Sequence, residues 1–317
     1  MTAWNNLVIS GDLVVCPACH GQLGSAQVGA GPSRIVCSDC SASYEIEDGW
    51  PILLTPDDQR FDDVADCCLN VDEVRTNTFT TVNYHIPLLA KLARPNQTDF
   101  RVLSAGCGVG IDVDLYRDAG IEAHGVDCGA RIAAWASRRH AKALHFASVA
   151  HLPFADATFD AVVTGCLLPH IGVIGDSVDV TAEVEQARAQ VARELLRVTK
   201  PGGYIILGNP NRLCPVDLFH KGQMASSSSL GRWHPRTERF LLSFDDHVRL
   251  FEPGAKVTTL PVSGYWGFHS KREKPATWML AQMLRGYFAV LSLPPLESLR
   301  RSGFNPWLMI LARKAES

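Results

Sequence analysis

The stretch "VLSAGCGVGIDV", residues 102–113, is the part of the sequence that indicates the fold most clearly. It begins as a buried apolar strand and ends at the start of a helix, with Gly106, Gly108 and Gly110 between them. A glycine-rich turn between a strand and a helix allows a ligand to lie against the backbone, because no Cβ intervenes. The spacing G-x-G-x-G lacks the third glycine of the dinucleotide fingerprint, whose place is taken by Ile111. By itself, the turn is only a weak indication of a ligand.

Predicted strands and helices alternate on both sides of this turn. Helical patterns cover "GIDVDLYRDAG" (110–120), "ARIAAWASRRHAK" (130–142) and "AEVEQARAQVARELLRVTK" (182–200), and apolar strands lie between them. A parallel sheet that is covered by helices on both faces produces this alternation. The sequence therefore predicts an α/β fold with a doubly wound, mostly parallel sheet.

Four sequence blocks occur together in this part of the chain. They are the glycine turn, Asp127 at the end of the second predicted strand, "HLPFADATFDAVV" (151–163) and "ELLRVTKPGGYIIL" (194–207). Over roughly residues 76–211, this set resembles the class I S-adenosylmethionine-dependent methyltransferases, especially the group that includes the quinone C-methyltransferases. The resemblance implies a Rossmann-like sheet of seven strands and S-adenosyl-L-methionine as the methyl donor.

The resemblance also implies a set of cofactor-binding residues. Ala105 and the three glycines would line the methionine and ribose part of the cofactor, and Asp127 would hold the ribose hydroxyls. The family usually has an acid in place of Ser104 and often an aspartate near Ser148, and serine carries no charge. We therefore expect weaker cofactor binding or a substitute partner. The full set is Ser104, Ala105, Gly106, Gly108, Gly110, Asp127 and Ser148.

Two C-x-x-C pairs lie near the start of the chain. Cys16 and Cys19 form the first pair, and Cys37 and Cys40 form the second, with seventeen residues between the pairs. Four thiolates from two such turns can close a tetrahedron around Zn²⁺ and leave no open position, which indicates a structural metal. The surrounding sequence resembles the small β zinc ribbon that activates some tRNA and protein methyltransferases. This resemblance allows for a protein partner bound through the ribbon.

These patterns divide the chain into three parts. Residues 1–56 form the predicted zinc-ribbon domain, and residues 57–98 are a linker and the N-terminal helix of the methyltransferase domain. Residues 99–317 form the S-adenosylmethionine-binding domain, in which residues 212–317 would cover the acceptor. The 212–317 part has 15 basic and 8 acidic residues with interleaved aromatic residues. This composition suits an anionic or amphiphilic acceptor.

His170 is the candidate general base. It follows the fourth predicted strand in "CLLPHIG", where both the cofactor and the acceptor should lie, and imidazole titrates near neutral pH. The alternative is that His170 orients this loop. Many methyl transfers require only in-line placement of the nucleophile and the sulfonium, so a base is not obligatory.

The first functional hypothesis is methyl transfer to a small or medium organic acceptor, with O-methylation slightly favoured. The second is methylation of a base in rRNA or tRNA. Residues 1–56 contain five acidic residues and one basic residue, which disfavours phosphate binding. The third is a non-catalytic scaffold that resembles a methyltransferase.

Bulk composition bounds these hypotheses. The formal net charge is −3, so the chain as a whole is not built to bind nucleic acid. We expect no signal peptide at the start of this sequence. The apolar stretch at 277–296 contains Arg285 and Pro294, which argues against a membrane span. These features predict a cytoplasmic protein, whose ten cysteines would remain reduced.

Overall fold

Apolar strands and amphipathic helices alternate through the middle of the chain, and the strands form one large sheet. The computed structural model describes residues 13–24, 33–58, 67–95, 97–173, 180–217, 227–228, 231–252, 254–263 and 275–316. Its strands are β1 (Arg34–Val36), β2 (Ser43–Glu47), β3 (Trp50–Leu53), β4 (Arg101–Ala105), β5 (Glu122–Asp127), β6 (Leu144–Ala147), β7 (Phe159–Gly165), β8 (Thr199–Pro210), β9 (Val216–Asp217), β10 (Ser227–Ser228), β11 (Gly231–Trp233), β12 (Ala255–Thr259) and β13 (Trp307–Lys314). Its α-helices are α1 (Cys67–Thr80), α2 (Ile86–Leu92), α3 (Ile111–Asp118), α4 (Ala182–Val198), α5 (Phe244–Phe251), α6 (Pro275–Leu291) and α7 (Glu297–Arg301).

Ten strands of the described residues form one open sheet in the order β1-β2-β3-β6-β5-β4-β7-β8-β13-β12. All pairs from β3 to β8 are parallel, and β13 runs antiparallel between β8 and β12. The chain adds β5 and β6 on one side of β4 and then returns to add β7 and β8 on the other side. Ligands of open α/β sheets bind at such a switch point, beyond the carboxyl ends of the strands. The predicted α/β, doubly wound fold is confirmed.

Buried apolar side chains cover both faces of the central strands. On β4, Leu103 packs with the core under α4 and α5, whereas Val102 packs with Val113 and Tyr116 of α3 on the opposite face. Successive strand residues point to opposite faces, so a strand buried on both sides must be apolar throughout. This burial fixes β4 at the centre of the sheet and places the glycine turn at its carboxyl end.

The segment 130–142 is not the α-helix that its sequence predicts. It forms a 3₁₀ helix over Ala130–Ser137. The indole Nε1 of Trp135 donates a hydrogen bond to a carbonyl oxygen of the glycine turn at 2.8 Å. The backbone N of His140 donates to Oδ1 of Asp114 on α3, also at 2.8 Å. The first of these hydrogen bonds holds the segment against the turn, and the second ties its end to α3.

The N-terminal strands extend the edge of the main sheet. Strand β3 pairs in parallel with β6, so that Ile52 lies opposite Phe146. The Trp50 ring contacts the Trp135 ring edge-on, with 6.0 Å between ring centroids. The seven-stranded arrangement implied by the resemblance is therefore present as β6-β5-β4-β7-β8-β13-β12, with β3, β2 and β1 added beside β6.

The antiparallel end of the sheet places the last part of the chain near the switch point. Because β13 is antiparallel to β8, its first residue, Trp307, lies opposite Pro210 at the carboxyl end of β8.

The helix α6 is 17 residues long. In the part of the chain that the structure describes, no helix combines the length and apolar character needed to cross a membrane.

Candidate cofactor and metal sites

The glycine turn adopts a backbone that only glycine accepts readily. Gly106, Gly108 and Gly110 have φ values of +72°, +51° and +71°, which side chains with a Cβ rarely adopt. The backbone N–H groups of Gly106 and Cys107 both donate to the Val126 carbonyl oxygen, at 2.9 and 3.0 Å. The turn is therefore fixed to the end of β5, and α3 begins directly after it.

Asp127 lies beside this turn, as the resemblance implies. Its Oδ2 accepts a hydrogen bond from the backbone N of Gly108 at 2.8 Å, and its Oδ1 accepts one from the backbone N of Gly129 at 2.8 Å. The half-buried carboxylate thus connects the ends of β4 and β5. The structure brings the predicted glycines and Asp127 together at the carboxyl edge of the sheet.

Asp112 is a site residue that the sequence analysis did not identify. It lies in the first turn of α3, and its buried Oδ2 accepts a hydrogen bond from the Ser104 hydroxyl. Burial raises the pKa of Asp112 to about 6, although the hydrogen bond from Ser104 acts in the opposite direction. An acidic side chain therefore contacts Ser104, where the sequence analysis expected a substitute partner. The available signal was an acid in the first helical turn after the glycines.

Ser148 and Ala105 lie at the carboxyl ends of two strands of the sheet, β6 and β4. Ala105 is fully buried at the end of β4. Ser148 follows β6 directly and is 9% exposed, and its Oγ accepts a hydrogen bond from the backbone N of Ala150 at 3.2 Å. The sheet order places β5 between these two strands, so all the predicted cofactor-binding residues share one edge.

Glu73, on α1, covers the turn and was also missed. Its Oε1 accepts a hydrogen bond from the backbone N of Val109 at 3.2 Å, and its Oε2 lies 2.6 Å from Nε of Arg131. Burial raises the pKa of Glu73, and Asp127 also raises it, while Arg131 lowers it. A Cβ on Gly108 would collide with Oε1 of Glu73. No local sequence pattern indicates a contact across 36 residues.

His170 lies on the opposite side of β4 from Asp127. It ends a 3₁₀ turn over Leu168–His170 that follows β7, and its ring lies edge-on against Phe240, 5.5 Å between ring centroids. The same loop reaches the glycine turn through Leu167, whose Cδ1 would be 2.9 Å from a Cβ on Gly106. His170 therefore lies in a loop that contacts the turn, and its role as a base stays a prediction.

A buried arginine holds this loop in place. Arg188, on α4, is 5% exposed and donates hydrogen bonds to the carbonyl oxygens of Pro169, Phe240 and Arg239, at 2.8, 3.0 and 2.9 Å. Its burial lowers the pKa of its guanidinium to about 10. The long helix α4 thus positions the backbone next to His170, a function that its amphipathic pattern does not reveal.

The four cysteines of the two C-x-x-C pairs come together. Their sulfur atoms all lie within 4.8 Å of one another, with Cys16 and Cys40 at 3.7 Å and Cys19 and Cys37 at 3.5 Å. A tetrahedron with Zn–S bonds of about 2.3 Å has sulfur atoms about 3.8 Å apart. The observed spacing therefore fits a zinc ion bound by four thiolates.

Backbone geometry supports this centre. The N–H groups of Gly21 and Asp39 point at the sulfur atoms of Cys19 and Cys37, each at 3.4 Å. Burial raises the pKa of Cys37, but hydrogen bonds from backbone N–H groups and from the neighbouring Cys19 and Cys40 thiols together lower it to about 7. Such N–H groups favour the thiolate, which is the form that binds metal.

Comparison with known proteins agrees with this geometry. Residues 103–207 match the family described as a methyltransferase domain. A protein of Mycolicibacterium smegmatis named "Probable S-adenosylmethionine-dependent methyltransferase" is 28% identical over 131 residues, which are 39% of this chain and 46% of that protein. A protein of Mycobacterium tuberculosis, also named "Probable S-adenosylmethionine-dependent methyltransferase", is 28% identical over 138 residues. These residues are 41% of this chain and 45% of that protein. The chain spans about half the length of these relatives.

Solved structures give weaker similarity. A chain from a complex of the Haloferax volcanii Trm112 methyltransferase activator with a methyltransferase is 18% identical, with a TM-score of 0.45. That alignment covers 80% of this chain and all of the solved chain. The family match instead coincides with the segment from β4 to β8 that carries the glycine turn, Asp127 and His170. Over residues 103–207, this chain is therefore similar to a methyltransferase domain, and the relatives that it matches are named as S-adenosylmethionine-dependent methyltransferases.

Proposed function

We propose that this chain is an S-adenosylmethionine-dependent methyltransferase that acts on a small or medium organic acceptor. One observation carries the proposal: three left-handed glycines form a bare turn at the switch point of the sheet, and the Asp127 carboxylate lies beside it. A turn of this kind accommodates a nucleoside against the backbone. The narrower relationship to quinone C-methyltransferases remains a prediction from the sequence.

The residues at the turn suit the cofactor chemically. Asp127 would hold the ribose hydroxyls, and Ser104 with Asp112 would hold the amino group, since Asp112 provides the negative charge that Ser104 lacks. Ser148 would approach the adenine from the end of β6. When bound, S-adenosyl-L-methionine supplies an electrophilic methyl group on a sulfonium. The side chains of this site orient that group and exclude water around it.

His170 is the residue proposed to accept a proton from the acceptor. Its loop contacts the turn through Leu167, and the hydrogen bonds from Arg188 to the carbonyl oxygens of Pro169 and Phe240 fix its backbone. A neutral imidazole can remove a proton from a hydroxyl group as the methyl group is transferred. This role supports the slight preference for O-methylation.

Exposed apolar side chains support an amphiphilic acceptor. Phe304 precedes β13 at the carboxyl end of β8 and is 68% exposed, and Trp233 on β11 is 64% exposed. Tyr287 on α6 hydrogen bonds to the Phe304 carbonyl oxygen and is also exposed. Large aromatic residues at the rim of a site can bind the apolar part of a substrate.

Zinc completes the proposal. The Cys16, Cys19, Cys37 and Cys40 thiolates would bind one zinc ion and leave no position for a substrate, so its role is structural. Metal analysis of protein purified under reducing conditions should give about one zinc ion per chain. Purified protein without zinc would contradict this part of the proposal.

Calorimetric titration with S-adenosylhomocysteine tests the enzyme assignment, and incubation of metabolite extracts with labelled S-adenosyl-L-methionine tests the acceptor. We expect micromolar binding and transfer of label to a small molecule that partitions into organic solvent. Label in added RNA would instead favour the nucleic-acid hypothesis. Absence of binding to the nucleoside would favour a non-catalytic scaffold.

A further inference from the structure

We propose that Glu73 competes with the cofactor for the bare face of the glycine turn and must move away before the cofactor can bind. This inference rests on the proposed function. It concerns how access to the site is controlled, and it depends on the contacts of Glu73 with Gly108, Val109 and Arg131.

The geometry places Glu73 where a ligand would lie. Gly108 has no Cβ, and the space that a Cβ would enter holds Oε1 of Glu73 and, at 3.4 Å, Cδ of Arg131. Oε1 also accepts the hydrogen bond from the backbone N of Val109. A ligand that uses the bare backbone of Gly108 needs the same space. The ligand and Glu73 therefore exclude each other.

At the other two glycines, the neighbours are apolar. A Cβ on Gly106 would meet Leu167, and a Cβ on Gly110 would meet Leu144, at 2.9 and 2.8 Å. These contacts belong to the apolar core. Only at Gly108 is the bare face covered by a charged side chain that comes from a different element.

The Glu73 contact is of the kind that can be exchanged. Glu73 is 17% exposed and Arg131 is 44% exposed, so their ion pair lies at the border of the solvent. Asp127 repels Glu73, and burial disfavours its charged form, as the direction of its pKa shows. Movement of the carboxylate into water would relieve both effects, while the loss of the ion pair and of the Val109 hydrogen bond opposes it.

The helix that carries Glu73 has an irregular junction. At its end, α1 passes into a π-helical turn over Thr81–His85, which continues into α2. Tyr84 and Leu89 anchor this junction in the core. Irregular turns of this kind are frequent at functional sites. Glu73 therefore lies about three helical turns before Tyr84, the first of these two core residues.

Affinity for S-adenosylhomocysteine distinguishes a competitor from a ligand. We expect Glu73→Gln and Glu73→Ala to bind S-adenosylhomocysteine about fivefold to tenfold more tightly than the wild type in calorimetry, the size expected from one charge-assisted contact. Glu185→Gln is the matched control. Glu185 lies on α4 and, like Glu73, forms an ion pair with an arginine, in this case Arg239. Its affinity should equal that of the wild type, and thermal unfolding checks that each variant is folded.

The other outcomes are separable. If the wild type binds and the Glu73 variants bind equally or more weakly, Glu73 is not a competitor and the inference is wrong, while the proposed function stands. If only the Glu73 variants bind, the inference is supported in its strongest form. If no variant binds, the cofactor assignment and the inference both fall.

Discussion

At the scale of single residues, the acid of the site lies on helix α3, as Asp112, and the strand position beside it is the neutral Ser104. Ser104, the next-to-last residue of β4, carries no charge, and its hydroxyl donates a hydrogen bond to Asp112 in the first turn of α3. A buried carboxylate beside a helix N-terminus is stabilised by the helix dipole, which partly offsets its desolvation. The pair can therefore hold a cationic amino group although the strand position is neutral.

Replacement of this acid should weaken cofactor binding. We expect Asp112→Asn to lower the affinity for S-adenosylhomocysteine about tenfold, because one charge-assisted hydrogen bond is lost. The double variant Ser104→Asp with Asp112→Ser should recover part of this loss, since it returns the charge to the strand. Asp118→Asn, at the exposed end of the same helix, is the control. Equal affinities for wild type and Asp112→Asn would show that Asp112 does not contact the cofactor.

Stability should depend on pH through the same carboxyl group. The pKa of Asp112 is about 6 in the folded chain and near 3.8 ordinarily, so the folded state binds more protons between these values. The free energy of unfolding should therefore fall as pH rises from about 4 to about 6. Relative to Asp112→Asn, the wild type should lose about 3 kcal/mol over this range. Urea unfolding of both proteins at several pH values measures the difference, and a constant difference would contradict the raised pKa.

At the scale of elements, the turn between β4 and α3 combines a left-handed backbone with hydrogen bonds from neighbouring elements. Its three glycines share the left-handed region, and the carbonyl oxygen of Val126 on β5 accepts its first two N–H groups. The 3₁₀ segment Ala130–Ser137 contacts the turn through the indole Nε1 of Trp135, which donates a hydrogen bond to the Gly108 carbonyl oxygen. These neighbouring elements thus restrict the backbone conformation of the turn.

The turn should not tolerate a side chain at its centre. We expect Gly108→Ala to lower stability by roughly 1 to 2 kcal/mol, because φ is positive and the new methyl group meets Glu73. The affinity for S-adenosylhomocysteine should fall by more than tenfold, because the same methyl group takes the space that the cofactor would need at Gly108. Gly286→Ala, in α6, is the control, since nothing lies within 4 Å of its added Cβ. That change should stabilise the helix by up to about 1 kcal/mol. Unchanged affinity in Gly108→Ala would remove the basis for the proposed cofactor position.

At the scale of the whole molecule, the cysteine cluster and strands β1 to β3 are continuous with the main sheet. Strand β3 pairs with β6, the strand that Ser148 follows, and Cys16, Cys37 and Tyr44 pack in the same core as Leu152 and Phe154. The four-cysteine cluster therefore lies against the edge of the sheet nearest the proposed adenine position, and a zinc ion bound there would support this edge. A protein partner bound through the ribbon and a cytoplasmic location remain predictions.

Loss of the metal should consequently affect cofactor binding as well as stability. We expect a strong zinc chelator, or Cys37→Ser, to lower Tm by roughly 10 °C and to weaken S-adenosylhomocysteine binding several-fold. Cys214→Ser, outside the cluster, should leave the zinc content and Tm close to those of the wild type. Calorimetry and metal analysis on the same samples measure both effects. Full affinity in the metal-free protein would show that the ribbon does not support the site.

Local patterns in the sequence determined much of this protein. The strand and helix alternation, the glycine turn, Asp127 and the paired cysteines were all visible, because each follows from periodicity, backbone conformation or short spacing. These features are enough to specify the sheet and to indicate where its ligand and metal would lie.

Only the tertiary structure shows which groups from other parts of the chain contact the glycine turn and the loop of His170. Glu73, Asp112 and Arg188 act through contacts with residues that are 8 to 58 positions away, and β3 joins β6 across about 90 residues. The same tertiary contacts convert the predicted helix at 130–142 into a 3₁₀ segment. Such contacts depend on how whole elements pack and on where buried polar groups find partners, and neither of these leaves a periodic pattern in the sequence.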